Sequence, residues 1–313
     1  MLRYVVRRLL ATIPVLGIVA LVVFGILHFS PGDPAALIAG DHATVEQVAA
    51  MRARLGLDRP LWEQFGAWAW RVLHGDLGIS IFSNQPVTRL ILQRLEPTIA
   101  LTVTTTLFTV LIAVPLGVVA AWRAGTWIDR AVMGAAVLGF SFPVFVVGYL
   151  LIYLLSMTLG WLPIQGYRSI TDGVGPFLIH LILPSIALGV GFMALIARIT
   201  RTSVLEVLNQ DYIRTARSKG LAMRQVLLRH ALPNAAVPIV TIIGVGIAVL
   251  IGGVVVTESV FSIPGLGRLV VDSILSRDYP VIQGVLLIFS GVYVAINLAI
   301  DLLYVVLDPR IRY

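Results

Sequence analysis

Residues 235–257 read AAVPIVTIIGVGIAVLIGGVVVT, a run without one ionisable side chain. About 30 Å of hydrocarbon takes roughly 20 apolar residues at 1.5 Å each, so this stretch is long enough to cross a bilayer as a helix. Five more stretches have the same character: Leu9–Phe29, Thr98–Ala121, Ala131–Met157, Phe177–Ala197 and Val281–Val305. Together with Ala235–Thr257 they predict an all-α polytopic membrane bundle of about six transmembrane helices. Five of the six carry one interior proline: Pro14, Pro115, Pro143, Pro184 and Pro238. Packed membrane helices tolerate proline because neighbours re-satisfy the freed carbonyl, so each span is expected to be one continuous helix.

Composition agrees. Of 313 residues, 58% are hydrophobic and 12% charged, where a soluble domain carries about 25% charged residues. Cysteine is absent, which excludes disulfides, thiolate metal sites and cysteine nucleophiles. The net charge of +7 does not call for a nucleic-acid partner, since a basic excess in a membrane protein marks its cytoplasmic edge.

With six spans both termini share one side. That side carries Arg3, Arg7, Arg8, Arg123, Arg130, seven basic residues between Arg198 and Pro233, and Arg310 and Arg312. The two short opposite loops hold only Arg168, Arg268 and Arg277. Six more arginines lie in Ser30–Pro97, a segment long enough to translocate regardless of charge. Both termini are therefore expected in the cytoplasm. The first span is expected to be a retained anchor, because its run is long for a signal peptide and Pro31-Gly32-Asp33-Pro34 follows it rather than an A-x-A site.

Ser30–Pro97 reads as an extracytoplasmic piece with two short helices. Thr44-Val45-Glu46-Gln47 is a capping box, with Val45, Val48 and Leu55 on one face and Gly56 as the stop. Pro60 opens the second, whose aromatic stripe is Trp62, Phe65, Trp68 and Val72. That stripe fits a cap resting on the membrane surface or bundle, or a platform for an external partner.

Arg198–Pro233 is the most informative soluble segment. Leu205, Leu208 and Tyr212 fall at helical spacing and lead into Arg214-Thr215-Ala216. Gly220 sits where a helix C′ glycine would. Ala222 to Leu232 reads as a second helix that Pro233 ends. Helix, glycine turn, helix suits insertion into a groove on a soluble partner; a basic loop drawn to anionic lipid is the other reading.

The missing motifs narrow the chemistry. A P-loop requires G-x-x-x-x-G-K-[ST], yet Lys219, the one lysine, lies between Ser218 and Gly220. No H-E-x-x-H occurs, and the five histidines are scattered. Ion-coupled transporters place ionisable groups near the membrane midplane; here Asp301 and His180 lie near span ends and read as structural. Gly244, Ala248 and Gly252 form a four-residue stripe suited to close helix packing or a gate surface.

Tyr212-Ile213-Arg214-Thr215-Ala216-Arg217-Ser218-Lys219-Gly220, with His230-Ala231-Leu232-Pro233, resembles the EAA loop of bacterial ABC-importer permeases, E-A-A-x-x-x-G, nine residues, then I-x-L-P. Ala216, Gly220, Leu232 and Pro233 match in spacing. Arg214, Thr215 and His230 stand in place of Glu, Ala and Ile, departures typical of the peptide branch. Met1-Leu2-Arg3-Tyr4 through Arg7-Arg8-Leu9-Leu10, Ser30-Pro31-Gly32-Asp33-Pro34, Gly75-Asp76-Leu77-Gly78, Thr257-Glu258-Ser259-Val260-Phe261, Pro264-Gly265-Leu266-Gly267 and Leu307-Asp308-Pro309-Arg310 also resemble the B-type subunit of dipeptide/oligopeptide permeases, from end to end.

The resemblance implies a type I ABC importer permease fold, with residues 98–305 as the transmembrane domain, 31–97 as the extracytoplasmic segment, and 1–30 and 306–313 as the flanks. It implies a second, homologous permease subunit, two ABC ATPase subunits that bind ATP and magnesium, an extracytoplasmic peptide-binding protein, and surrounding lipid. This chain would hold no cofactor. Arg214, Thr215, Ala216, Gly220, His230, Leu232 and Pro233 would couple it to the ATPases, with Gly220 as the turn, Ala216 as a close-fitting face and the arginines as anchors. Nickel and glutathione importers of the same build remain open, as does, from another class, an ion-driven secondary transporter.

Overall fold

Proline decides where the predicted spans break. The computed structural model describes residues 2–29, 34–39, 43–54 and 56–307. The turn residues Pro31, Gly32 and Asp33, Leu55, and the tail from Asp308 onward lie outside the described residues. The helices are α1 Leu2–Phe29, α2 Pro34–Ala39, α3 Val45–Arg54, α4 Leu61–Leu73, α5 Val87–Trp122, α6 Trp127–Ser141, α7 Val144–Leu151, α8 Val174–Leu208, α9 Asp211–Ser218, α10 Met223–Gln225, α11 Leu232–Asn234, α12 Ala236–Val260, α13 Leu266–Ser276 and α14 Tyr279–Leu307. π-helical turns occupy Ile152–Thr158, continuing α7, and Val226–Ala231, joining α10 to α11.

Among the described residues, five helices are long and apolar enough to cross a membrane: α1, α5, α8, α12 and α14. The pair α6 and α7 makes a sixth span if counted as one, but it bends by 102°. The expected continuous helix over Ala131–Met157 is thus corrected to a broken one. Phe142 takes φ −93° and ψ 132° ahead of Pro143, the extended conformation that a following proline ring imposes by clashing with its neighbour's N–H and Cβ. Pro14, Pro115 and Pro184 instead stay inside helices. Two spans also run further than expected. α5 begins at Val87 and passes through Pro97, and α8 continues past Ala197 to Leu208.

The chain divides into two compact units. One holds the described residues of Met1–Val5, Glu96–Arg268 and Ala295–Tyr313. Its core gathers Leu101, Ile152, Leu181, Leu183, Leu188, Val254, Phe261 and Ile263, with α8 as the most enclosed helix. Small residues set the spacing. A Cβ at Gly117 would fall 2.6 Å from the Ala197 carbonyl oxygen and from Thr200 Cβ, so only glycine lets α5 and α8 approach there. In the loop before α8, Tyr167 Oη and Ser169 Oγ donate to Glu96 Oε1 at 3.0 and 2.6 Å. Burial, followed by the Glu96 carboxylate, holds the Tyr167 phenol well above its ordinary range.

The other unit holds Val6–Leu95 and Leu269–Val294. The capping box forms as written, with Gln47 N donating to Thr44 Oγ1 at 3.3 Å and Thr44 N to Gln47 Oε1 at 2.9 Å. Gly56, at φ 69°, ends α3 with paired bonds from Gly56 N to Ala53 O and Leu57 N to Arg52 O. In α4 the stripe divides. Phe65 and Trp68 pack against Phe24 of α1 at ring separations of 5.4 and 5.6 Å, while Trp62 faces outward, 75% exposed. The buried Asp278 carboxylate closes the loop after α4, accepting from the Ser80 hydroxyl and, at 3.1 Å, from Ile81 N.

Candidate functional site

The segment from α9 to α11 is built as a supported finger. α8 ends at Leu208, and Asn209 and Gln210 separate it from α9, so the helix expected to run from Leu205 to Ala216 is two helices. Ile213 is fully buried in a cluster with Val204, Leu208, Val226, Leu227, Ala231 and Ile239. Burying one such side chain contributes roughly 1.5–3 kcal/mol, which fixes α9 on its own chain. Ala216, one turn on, is also buried. Its small side chain faces inward.

The outward face of α9 carries Tyr212, Arg214, Thr215, Arg217 and Ser218, all exposed. Arg214 Nη1 reaches Asp211 Oδ1 at 3.4 Å, both largely in solvent. Lys219, Arg224 and Arg229 extend the exposed basic surface. Gly220 adopts φ 81°. Its N–H bonds the Arg217 carbonyl at 2.9 Å and Leu221 N–H reaches back to the Ala216 carbonyl at 3.4 Å, the paired closure that favours glycine at C′. His230 is half-buried in the π turn, Leu232 half-buried, and Pro233 exposed. Pro233 does not end the helix at Leu232: helical backbone continues from Met223 through the π turn to Asn234, and the chain turns at Ala235. The finger residues thus lie in one short stretch, with Arg214 and Thr215 outward, Ala216 inward, and His230 to Pro233 at its return.

Along the α12 stripe the surroundings within this chain differ. A Cβ on Gly244 would strike Ile300 of α14, and Ala248 is buried, but Gly252 is exposed with nothing within 4 Å of its Cβ position. The close approach to α8 falls instead at Gly246, against the Phe192 ring, and Gly253, against Leu188.

Two charged constructions were not foreseen. At the end of α12 the Glu258 side chain is fully buried. Thr98 Oγ1 donates to its Oε1 at 2.6 Å, and Arg268 N to its Oε2 at 3.0 Å. Leu266 N in turn donates to Thr98 Oγ1 at 2.8 Å. A Cβ at Gly265 would land on the carboxylate. Glu258 therefore latches the Pro264–Gly267 turn to α5, and the glycines make room for it. The signal in the sequence is an acidic residue just past an apolar run, followed seven residues later by Gly-x-Gly.

The second is Asp129 of α6. Its side chain is 6% exposed. Arg201 of α8 donates from Nε at 2.5 Å and from Nη2 at 2.7 Å, and Gly125 N at 2.9 Å. This fork ties α6 to α8 across 72 residues of sequence. Arg201→Gln should lower stability by about 2 kcal/mol: breaking a buried pair costs roughly 3–5 kcal/mol, discounted because the Arg201 side chain is 25% exposed. Thermal unfolding of the purified chain in detergent measures it. Asp129→Leu combined with Arg201→Met should recover most of the loss; a double variant as unstable as the single one would contradict the assignment.

Residues 113–313 match the family model described as "Binding-protein-dependent transport system inner membrane component". Residues 1–102 match one described as "Binding-prot-dependent transport system membrane comp, N-term". The chain is 54% identical over 99% of both chains to the probable peptide ABC transporter permease protein y4tP of Sinorhizobium fredii. It is 46% identical, over the full length of both, to the glutathione transport system permease protein GsiC of Escherichia coli K12. Among solved structures, the inward-facing MetNI methionine ABC transporter contains a chain of the same fold: TM-score 0.58, 21% identity, covering 70% of this chain and 96% of that one.

Proposed function

The chain belongs to the family of binding-protein-dependent transport system inner membrane components, and on that premise we propose that it is the permease subunit of an ATP-driven importer of short peptides. One observation carries the substrate class. A relative named as a probable peptide permease is 54% identical over 99% of both chains, too continuous a match for a shared fold alone. Glutathione, named for relatives at 46–48% identity, is itself a small peptide with free carboxylates, so both names describe one kind of chemistry.

In this reading the chain supplies half of a pathway and a second, homologous permease the other half. Both termini and the α9–α11 finger lie on the cytoplasmic side, where the basic residues concentrate. Two ABC ATPase subunits hold ATP and magnesium; this chain holds no nucleotide and no cofactor. A peptide-binding protein delivers substrate on the opposite side. Arg214, Arg217 and Lys219 offer charge-assisted donors to an acidic groove on the ATPase. Ile213 and Ala216 anchor the same helix to the bundle, so movement of the ATPases is transmitted as movement of α9 and then of α8 and α12, which share its core.

Purification of the tagged chain from its own membranes in mild detergent tests the assembly. The expected result is a second permease and two ATPases in the eluate, with hydrolysis stimulated several-fold by peptide-loaded binding protein. Recovery of this chain alone, with stable folding and no ATPase, would contradict it.

A further inference from the structure

A cleft of about 710 Å³ is lined by α6 and α8 alone, and its two ends differ in chemistry. Asp129 meets Arg201 at one end, and Gly139 approaches Val190 further along, so the two helices run antiparallel. From residue 129 to residue 140 is about 16 Å of helix at 1.5 Å per residue, close to half the ~30 Å hydrocarbon thickness. Arg130, Arg198 and Arg201 line the first end with Asp129. Three guanidiniums face one carboxylate there, and Arg201 is already committed to Asp129.

The rest of the cleft is apolar but for Thr202 and Ser141, whose hydroxyls donate to the Arg198 and Val137 carbonyls of their own helices. Met133, Val137 and Phe140 repeat at the three- and four-residue spacing that puts them on one face of α6 below Arg130. Leu195 lies one turn from Arg198 on α8. Val137 and Phe140 are 66% and 70% exposed. A trough one leaflet deep, cationic at its mouth and apolar along its length, matches an amphiphile with an anionic head. A substrate peptide, polar along its whole backbone, would leave its amides facing the apolar wall unpaired, at a cost in free energy.

We propose that this cleft binds one anionic phospholipid, its phosphate held by Arg130 and Arg198 and an acyl chain lying along Met133, Val137 and Leu195. Basic pockets between membrane helices select anionic headgroups by charge, and guanidinium forks match phosphate oxygens. The site requires only that α6 and α8 lie in the bilayer; it stands whichever solute the protein carries. An occupied cleft would brace the broken α6–α7 span against α8, and would make α6 packing depend on the anionic fraction of the membrane.

The natural chain has no cysteine, so Val137→Cys gives a single labelling site on an exposed wall. The full chain carrying a bimane there is reconstituted into phosphatidylcholine vesicles containing equal small fractions of acyl-brominated phosphatidylglycerol or acyl-brominated phosphatidylcholine. The expected result is several-fold stronger quenching by the brominated phosphatidylglycerol. A bimane at Leu21→Cys, 56% exposed on α1, should be quenched equally by both. Arg130→Gln with Arg198→Gln should abolish the preference at position 137, bringing the two brominated lipids to equal quenching, because the basic residues that select the headgroup are gone. Unchanged quenching at position 21 in that variant verifies that it has folded and inserted. Equal quenching by the two lipids at position 137, or a preference that survives loss of both arginines, would overturn the proposal. So would a preference abolished by excess dipeptide, which would assign the arginines to a substrate carboxylate.

Discussion

Gly220→Val is expected to cut peptide uptake by roughly five- to thirtyfold while leaving the chain in the membrane. Gly220 holds φ 81°, and a Cβ there would meet nothing within 4 Å, so the penalty is conformational and not a clash. A left-handed L residue costs about 1–2 kcal/mol, and a β-branched one is a worse fit still. If the turn relieves that strain by leaving its docked geometry, the docking equilibrium falls by the corresponding factor, 1.4 kcal/mol being tenfold. Gly220→Asn is the control, because asparagine tolerates the left-handed region. It should retain most of the uptake. Parallel assays of uptake and ATP hydrolysis on the assembled complex make the check: valine should separate the two, asparagine should not. Normal uptake with valine would remove Gly220 from the coupling path.

Glu258→Ala should be the most destabilising single change outside the finger, by about 3–5 kcal/mol. The Thr98 hydroxyl and the Arg268 N–H both lose the carboxylate they donate to, and each such loss costs about 1–3 kcal/mol. A void between α5, α12 and the Pro264–Gly267 turn adds to it. Against a total stability of roughly 5–15 kcal/mol, that is enough to lower the yield of folded protein sharply. Glycine and glutamate here are coupled, because the position of a Cβ on Gly265 coincides with the carboxylate. Gly265→Ala should therefore be severe alone and mild in the Glu258→Ala background. Folded yield and unfolding midpoint for the four proteins of this cycle give the coupling directly. Additive effects would mean that the latch does not exist.

Local signals carried much of this fold, and pairings distant in sequence did not show. The capping box at Thr44 and the left-handed stop at Gly220 are written in a few consecutive residues, and both form as read. The apolar runs gave the spans because hydrocarbon thickness allows little else. Pro143 breaks its span, although the same residue type is absorbed within helices at Pro14, Pro115 and Pro184. Whether a proline bends or breaks a span depends on what packs beside it. The π turns after Leu151 and Gln225 have no residue signature at all.

The candidate site divides in the same way. The order of residues in the finger was legible, but which side of α9 faces the bundle depended on the cluster beneath Ile213. Gly244, Ala248 and Gly252 were chosen by spacing, whereas α12 meets α8 through Gly246 and Gly253; in a span so rich in glycine, spacing alone does not choose the face. Asp129 and Arg201 lie 72 residues apart, and nothing local in the sequence marks them as a pair. Their pairing places an ionisable group within the broken span, the kind of residue an ion-driven carrier would use. Its fork from Arg201 and the Gly125 N–H marks it as a structural tie.

The most direct test of borrowed power is solute movement with and without the nucleotide-hydrolysing companions. Vesicles holding this chain and its partner permease, supplied with peptide-loaded binding protein, should accumulate labelled peptide only when the ATPases and ATP–magnesium are present. Sustained uptake by the permeases alone, driven by a proton or sodium gradient, would contradict the account.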